Sequence, residues 1–260
     1  MNRKSLLLLG AALCVVLTTA HAQPGPRGGL GGLPPGPRFG GDLAKIFGDN
    51  SAFSADLECH MLRGGTPADA MTMPGKMAYL TGQSRFEMDM TLVKSKQLSP
   101  QAAAQMKQMG LDKLIVIGRP DRKVSYMVYP GLAAYVENPI AEAQALQAEA
   151  DYKLEATELG KDTVDGHPCV KNKVLLTGKD GKAHESTVWN ATDLKKFPVK
   201  IETIQDANTV TMLFTNVKLA KPDATQFDPP ADFKKYESMM GMMQQEMMKR
   251  LGGGAGLPPR

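Results

Sequence analysis

Histidine is scarce in this chain, cysteine scarcer still, and tryptophan occurs once. Its 260 residues hold four histidines and three cysteines. The histidines beyond the first 22 residues, His60, His167 and His184, are far apart and fall on strands or turns. There is no Gly-x-Ser-x-Gly elbow and no His-Glu-x-x-His helix, which removes the common hydrolase and metalloprotease arrangements. The glycine-rich stretches lie at the ends and lack the strand–loop–helix setting of a phosphate cradle. Asp162, Asp165 and Gly166 are too sparse for a calcium loop. The sequence therefore names no catalytic residue, cofactor or metal ligand set, and we read it as a non-enzyme. An excess of one charge is lacking as well: 31 Lys and Arg face 27 Asp and Glu, and no basic stripe interleaved with aromatics occurs, so nucleic acid is not an expected partner. After the leader no run reaches the ~18 apolar residues of a spanning helix, so no transmembrane segment is expected in the mature chain.

The ends are the first things present. Arg3 and Lys4 precede an apolar run from Leu6 to Leu17, and Ala20-His21-Ala22 offers a small-x-small cleavage site. Residues 1–22 read as a secretory signal peptide cut after Ala22, which places the protein in a periplasm or outside the cell. Lipidation at Cys14 is disfavoured, because Leu13 stands where a small residue is needed. Residues 23–41 are dominated by proline and glycine and read as a disordered linker, as do residues 252–260 at the other end. Gly-Leu-Pro-Pro occurs in both, at 32–35 and 256–259.

Between them, period two prevails. Phe53, Ala55, Leu57, Cys59 and Met61 alternate with Ser54, Asp56, Glu58 and His60, the mark of a half-buried strand. Residues 75–92 read as a hairpin around a Gly-Gln turn, with Phe86, Met88, Met90 and Leu92 on one side and Arg85, Glu87, Asp89 and Thr91 on the other. "SPQAAAQMKQMG" predicts a helix with Ser99 as N-cap, Pro100 in its first turn and Gly110 closing it. "PIAEAQALQAEA" predicts another, opened by Pro139. Further hairpins turn at Pro120-Asp121, at Lys179-Asp180-Gly181 and around Asp206-Ala207-Asn208. The expected fold is α+β, mainly β: a meandering antiparallel sheet with one face covered by short helices and one wet.

Two cysteines of the mature chain, Cys59 and Cys169, suggest a disulfide in an oxidising compartment. Strand parity speaks against it, since Cys59 shares a side with Leu57 and Met61 while Cys169 alternates with Val170, Val174 and Leu176; both readings stand. Methionine is abundant, at 17 residues. Met61, Met88 and Met90 fall on the inward side, where thioethers line an adaptable cavity or fill gaps in a core; Met127 is ambiguous, because Tyr126 and Val128 compete for the buried side. Met239, Met243 and Met247, widened by Met240, Met242 and Met248, form a stripe on an amphipathic helix over 237–251. That stripe can dock on the protein, touch a membrane or bind a soft metal such as Cu(I).

Four tracts carry a resemblance: "YMVYPGLAAYVE" (126–137), "LGKDTVDGHPCVKNKVLL" (159–176), "WNATDLKKFPVKIE" (189–202) and "TMLFTNVKLAKPDATQFDPPADFKKY" (211–236). Trp189, Phe197-Pro198, Phe214, Phe227, Pro230 and Phe233-Lys234-Lys235 form the pattern. Over roughly residues 50 to 236 the chain resembles secreted bacterial proteins of unknown function related to the LolA-like periplasmic lipoprotein carriers and lipoprotein-sorting proteins. The resemblance implies a strongly curved, half-open antiparallel β-barrel over 42–236, with short helices in its mouth and a concave apolar face that, in the carriers, holds acyl chains. The cleft candidates are then Phe53, Leu57, Met61, Phe86, Met88, Met90, Trp189 and Phe214. The carriers lack a terminal methionine-rich segment, so this chain departs from them there.

Three functions follow as expectations. The first is a carrier or sensor of a lipid, lipoprotein acyl chain or other apolar ligand. The second is a non-catalytic envelope protein that contacts a protein partner, its cleft filled by its own helices. The third is a methionine-rich copper-handling protein.

Overall fold

Alternation of apolar and polar residues becomes, in space, one large open sheet. The computed structural model describes residues 41–65, 70–96, 98–140, 153–178, 181, 183–205 and 208–252. The signal peptide, all but the last residue of the 23–41 linker, the helix expected to follow Pro139, the centres of the Lys179 and Asp206 turns and nearly all of the 252–260 tail lie outside the described residues.

Two meanders make the sheet. The first runs through β1 (Ala52–Leu62), β2 (Ala70–Leu80), β3 (Gln83–Asp89), the two-residue β4 (Lys94–Ser95), β5 (Lys113–Arg119), β6 (Val124–Tyr129) and β7 (Ala134–Pro139). The second runs through β8 (Lys153–Val164), β9 (His167–Thr177), β10 (Ala183–Ala191), β11 (Phe197–Gln205) and β12 (Asn208–Lys218). They join because β12 lies antiparallel beside β1, giving the order β13-β7-β6-β5-β3-β2-β1-β12-β11-β10-β9-β8. The expected antiparallel pairing holds throughout except at β13 (Lys234–Tyr236), which lies parallel to β7. The end strands, β8 and β13, are not neighbours, so the sheet stays open.

Local chemistry sets the turns. The β2–β3 hairpin turns on Thr81-Gly82, both at positive φ (45° and 85°), rather than on Gly-Gln; two left-handed residues match the twist of the flanking strands. The β8–β9 hairpin does the same with Asp165-Gly166 (49° and 80°). Leu92, expected inward, lies in a 3-10 turn after β3 ends and is exposed. Pro139, expected to open a helix, closes β7 instead.

Three α-helices are described. α1 (Gly41–Ile46) was not foreseen, and it delivers Phe47 into the core. α2 (Pro100–Met109) has the caps its sequence predicts: Ser99 Oγ accepts from the Ala102 amide at 3.1 Å, and Gly110 sits at φ 73°. A Cβ on Gly110 would lie 2.7 Å from the Gly131 carbonyl oxygen, so both glycines are needed where the helix end meets the turn before β7. α3 (Met239–Gly252) follows β13.

The register divides the sheet into two faces. Phe53, Ala55, Leu57, Cys59 and Met61 share a side of β1, and their partners extend that side across the sheet. The opposite face is wet over β8–β12, with cross-strand pairs such as Lys173–Glu185. Over β2–β7 a strap, residues 219–233, covers it. Phe227 of the strap is fully buried among Ala78, Ile117, Tyr126 and Val128. Tyr126 and Val128 thus meet the strap while Met127 faces the other side, so β6 is covered on both faces. The strap leads into β13, and α3 then returns along the apolar face against β7. The C-terminal segment in this way wraps the sheet edge.

Candidate functional site

The apolar face is built strand by strand. Met61 pairs with Met71, Cys59 with Met73 on one side and Met212 on the other, Ala55 with Met77, and Leu57 with Phe214. Met77 pairs with Phe86, and Gly75 with Met88. The Phe86 ring lies over Gly75, where an added Cβ would come within 2.6 Å of it. Met127 and Val136 continue the face to the β7 edge.

One end of this face is an aromatic cluster. Phe53 meets Phe47 at 4.7 Å and Phe197 at 4.8 Å between ring centroids, and Tyr79 at 5.5 Å. Phe53 and Phe197 stand on β1 and β11 with β12 between them, strands that would be about 10 Å apart in a flat sheet. Their rings meet above Phe214, as side chains do on the inside of a bend. The bulges at Ser54/Asp56 and Trp189/Asn190 add the local twist such a bend requires.

Composition changes along the face. Over β9–β11 it is stiff and mostly β-branched: Val174, Leu176, Val188, Val199 and Ile201, all buried. Over β12, β1, β2 and β3 it is rich in methionine, with Met212, Met71, Met73, Met77 and Met88 set among Phe53, Leu57, Cys59, Phe86 and Phe214, and Met90 just beyond. β-Branched side chains have few rotamers and specify one packing. Thioether chains re-pack at little cost. The sheet therefore has a rigid half and a deformable half.

Of the residues singled out by sequence, Phe53, Leu57, Phe86, Met88 and Phe214 lie together on this face and are buried, Met90 is buried in the turn just beyond β3, and Met61 is half-buried at the rim. Trp189 is a correction. Val188, its neighbour, pairs with Ile201 on the apolar face, so Trp189 points to the other side. There its ring lies 4.1 Å from Lys200 Nζ and 5.0 Å from Lys171 Nζ, and its indole N–H donates to Asp162 at 2.8 Å. That hydrogen bond, followed by the Thr163 amide, holds the Asp162 carboxyl below the usual carboxylate range. A tryptophan so clamped covers polar strands and lines no apolar cleft. Phe47, Phe197 and Tyr79 were not among the cleft candidates, although Phe197 belongs to the pattern that carries the resemblance.

The disulfide is a second correction. Cys59 and Cys169 are both free and buried. Between β1 and β9 lie β12, β11 and β10, about 19 Å along a flat sheet, against the ~7 Å that a disulfide allows. Cys169 instead donates to the His167 carbonyl at 3.3 Å. Burial pushes the Cys59 thiol up to about 11. In the unfolded chain the thiol ionises near its ordinary value, so stability is fully present below about pH 9 and falls as pH climbs through 11. The expected loss is about 3 kcal/mol. Urea unfolding at pH 8 and pH 11 should show it, and Cys59→Ala should flatten that slope; an unchanged slope would refute the assignment.

The tail helix is rotated from the expected stripe. Met242 is fully buried, Met239 and Met243 are half-buried, and Met240 and Met248 are 81% and 68% exposed. Tyr129, on the apolar face of β6, donates its hydroxyl to Met239 Sδ at 3.7 Å. α3 thus caps the β7 end of the face. The Met247 side chain lies outside what is described.

Two surface grooves lie elsewhere among the described residues. One, about 550 Å³, lies near the β8–β9 turn beside Asp162, Pro168, Cys169 and Thr192. The other, about 490 Å³, lies on the polar face beside Asp56, Lys76, Arg85 and Glu87. Neither is lined by any of the eight cleft candidates. Among the described residues, no three His, Cys, Asp or Glu side chains converge as a metal site would need, and no helix is long and apolar enough to cross a membrane.

No protein-family model matches the chain, and no curated protein does. The chain is similar to several solved structures. They include a LolA superfamily protein from Nitrosomonas europaea, at 7% identity over 71% of this chain and 93% of that one, with a TM-score of 0.38. LprF from Mycobacterium bovis matches at 16% identity over 70% and 96%, with a TM-score of 0.36. The lipoprotein LppX of Mycobacterium tuberculosis matches at 9% identity over 68% and 93%, with a TM-score of 0.38.

Proposed function

We propose that this is an exported, non-catalytic carrier or sensor that lays an acyl chain or other elongated apolar ligand along the methionine-lined half of its open sheet. The observation that carries the reading is the contrast between the two halves of one apolar face. A core selected for uniqueness favours side chains with few rotamers; the β9–β11 half has them, and the β12–β3 half mixes methionine with Phe53, Leu57, Phe86 and Phe214. The face is closed by its own side chains, so a ligand enters by re-packing them. The energetics allow this: a tail of about ten methylenes gains on the order of 8 kcal/mol on burial, against ~2 kcal/mol for each displaced side chain. Native mass spectrometry of the protein purified without detergent from its export compartment is the test. An added mass matching a lipid, lost on delipidation, is expected. A bare protein mass, with no uptake of added fatty acid or lysophospholipid, rejects the reading.

A second reading has its own observation. Phe53, Leu57, Phe86, Met88, Met90 and Phe214 are all buried, and α3 sits on the same face. This supports an envelope protein that works by contact with a protein partner, its interior permanently filled. A bare mass would favour it.

A further inference from the structure

α3 lies at the β7 end of the apolar face, and its attachments differ in kind. Its polar anchors are local. Tyr236 donates to Glu246 at 2.6 Å, Lys249 reaches the same carboxylate at 2.5 Å, and Lys234 donates to Gln245 at 3.0 Å. Ser238 caps the helix start, accepting from the Gly241 amide at 3.0 Å. All of these partners belong to β13, to α3 or to Ser238 between them. Towards the body of the sheet the described contacts are the buried side chain of Met242 and the weak hydrogen bond from Tyr129 to Met239. Glu246 is held below the usual carboxylate range first by Lys249 and then by Tyr236, which reinforces the local anchor and not the docking.

The seat under α3 is continuous with the methionine-lined half. Ala134 and Val136 on β7 are buried there, and Met127 and Val116, both only half-buried, join it to β3 through cross-strand pairs. Met242 is chemically like the methionine lining of that face, a flexible thioether in an apolar setting. We propose that α3 is the built-in occupant of the acyl-chain site: Met242, flanked by Met239 and Met243, fills its β7 end, and a bound acyl chain takes that place as the helix lifts off while β13 stays paired. This rests on the reading of the apolar face as an acyl-binding face, and it adds how that face is kept closed without ligand. A self-occupied site lowers apparent affinity by the fraction of molecules that are open, so weakening the occupant tightens ligand binding.

The experiment uses the full mature chain and a fluorescent fatty acid as probe. Met242→Gln is expected to raise probe affinity about tenfold, equivalent to a docking weakened by ~1.4 kcal/mol. Glu246→Ala, which loosens the anchor without touching the apolar face, should act in the same direction with a smaller effect, and it serves if Met242→Gln folds poorly. Hydrogen exchange should show α3 amides losing protection when the probe binds to the unaltered protein. Probe binding with unchanged affinity in both variants and α3 still protected overturns the occupant role while leaving the acyl-binding reading intact. No probe binding to any of the three proteins overturns both.

Discussion

Phe53→Ala is expected to lower the unfolding free energy by about 4 kcal/mol, within the ~3–5 kcal/mol found for truncating large buried aromatics. The ring is fully buried and touches rings from three separate parts of the chain: Phe47 after α1, Tyr79 on β2, and Phe197 and Phe214 on β11 and β12. Removing it deletes the transfer free energy of the ring and also leaves a hole that four rigid neighbours cannot collapse into. Phe47 loses its nearest partner, so α1 should detach along with it. Phe53→Leu, which keeps most of the volume, should cost less than half as much. Urea unfolding of the three proteins measures the difference, and a loss below 1 kcal/mol for the alanine variant would show that the cluster does not hold the two meanders together.

Arg119→Ala should cost about 2 kcal/mol, mostly from the buried Phe227 carbonyl left without this donor, because Asp121 and Asp228 are 48% and 40% exposed and remain solvated. Arg119 ends β5 beneath the strap, with only 7% of its side chain exposed. It donates from Nη1 to the Phe227 carbonyl at 3.3 Å and to Asp228 at 2.6 Å, and from Nη2 to Asp121 at 2.8 Å. Its loss leaves the buried Phe227 carbonyl without this donor, and Asp228 with Arg122 alone among its described ion-pair partners. The strap should then lift, exposing the wet-side surface of β5 and β6. Limited proteolysis within 219–233 should accelerate in parallel with the loss of stability; unchanged cleavage would mean that Phe227 holds the strap without the arginine. The Asp121 carboxyl, held low first by its hydrogen bond from Arg119, adds an acid signature. Its contribution is present above the ordinary carboxylate range and lost as pH falls through the depressed value, so the variant should be less acid-sensitive in relative terms.

How much of this was legible in the chain depends on the distance over which each cause acts. The faces of β1 and β3 were legible, because side chains alternate with period two whatever the neighbour. So was α2, whose cap serine, first-turn proline and closing glycine are all local. Trp189 was misplaced because a bulge and a change of polarity on β10 leave the strand without a clean alternation; its partners, Lys171 and Lys200, are set by register and not by its own flanks. The Cys59–Cys169 pairing could not be decided from parity alone, since parity assigns a side but not how many strands intervene.

The sequence by itself determined local facts of this protein: the antiparallel strand pattern, the caps of α2, the apolar sides of β1 and β3, and their richness in methionine and phenylalanine. Tertiary structure alone decided the rest. The pairing of β12 with β1, the strap held by Arg119, and the seat of α3 beneath Met242 all join residues about 100 or more positions apart. Such contacts depend on which surfaces fit once the chain has closed its long loops, a cooperative choice that no window of neighbouring residues contains.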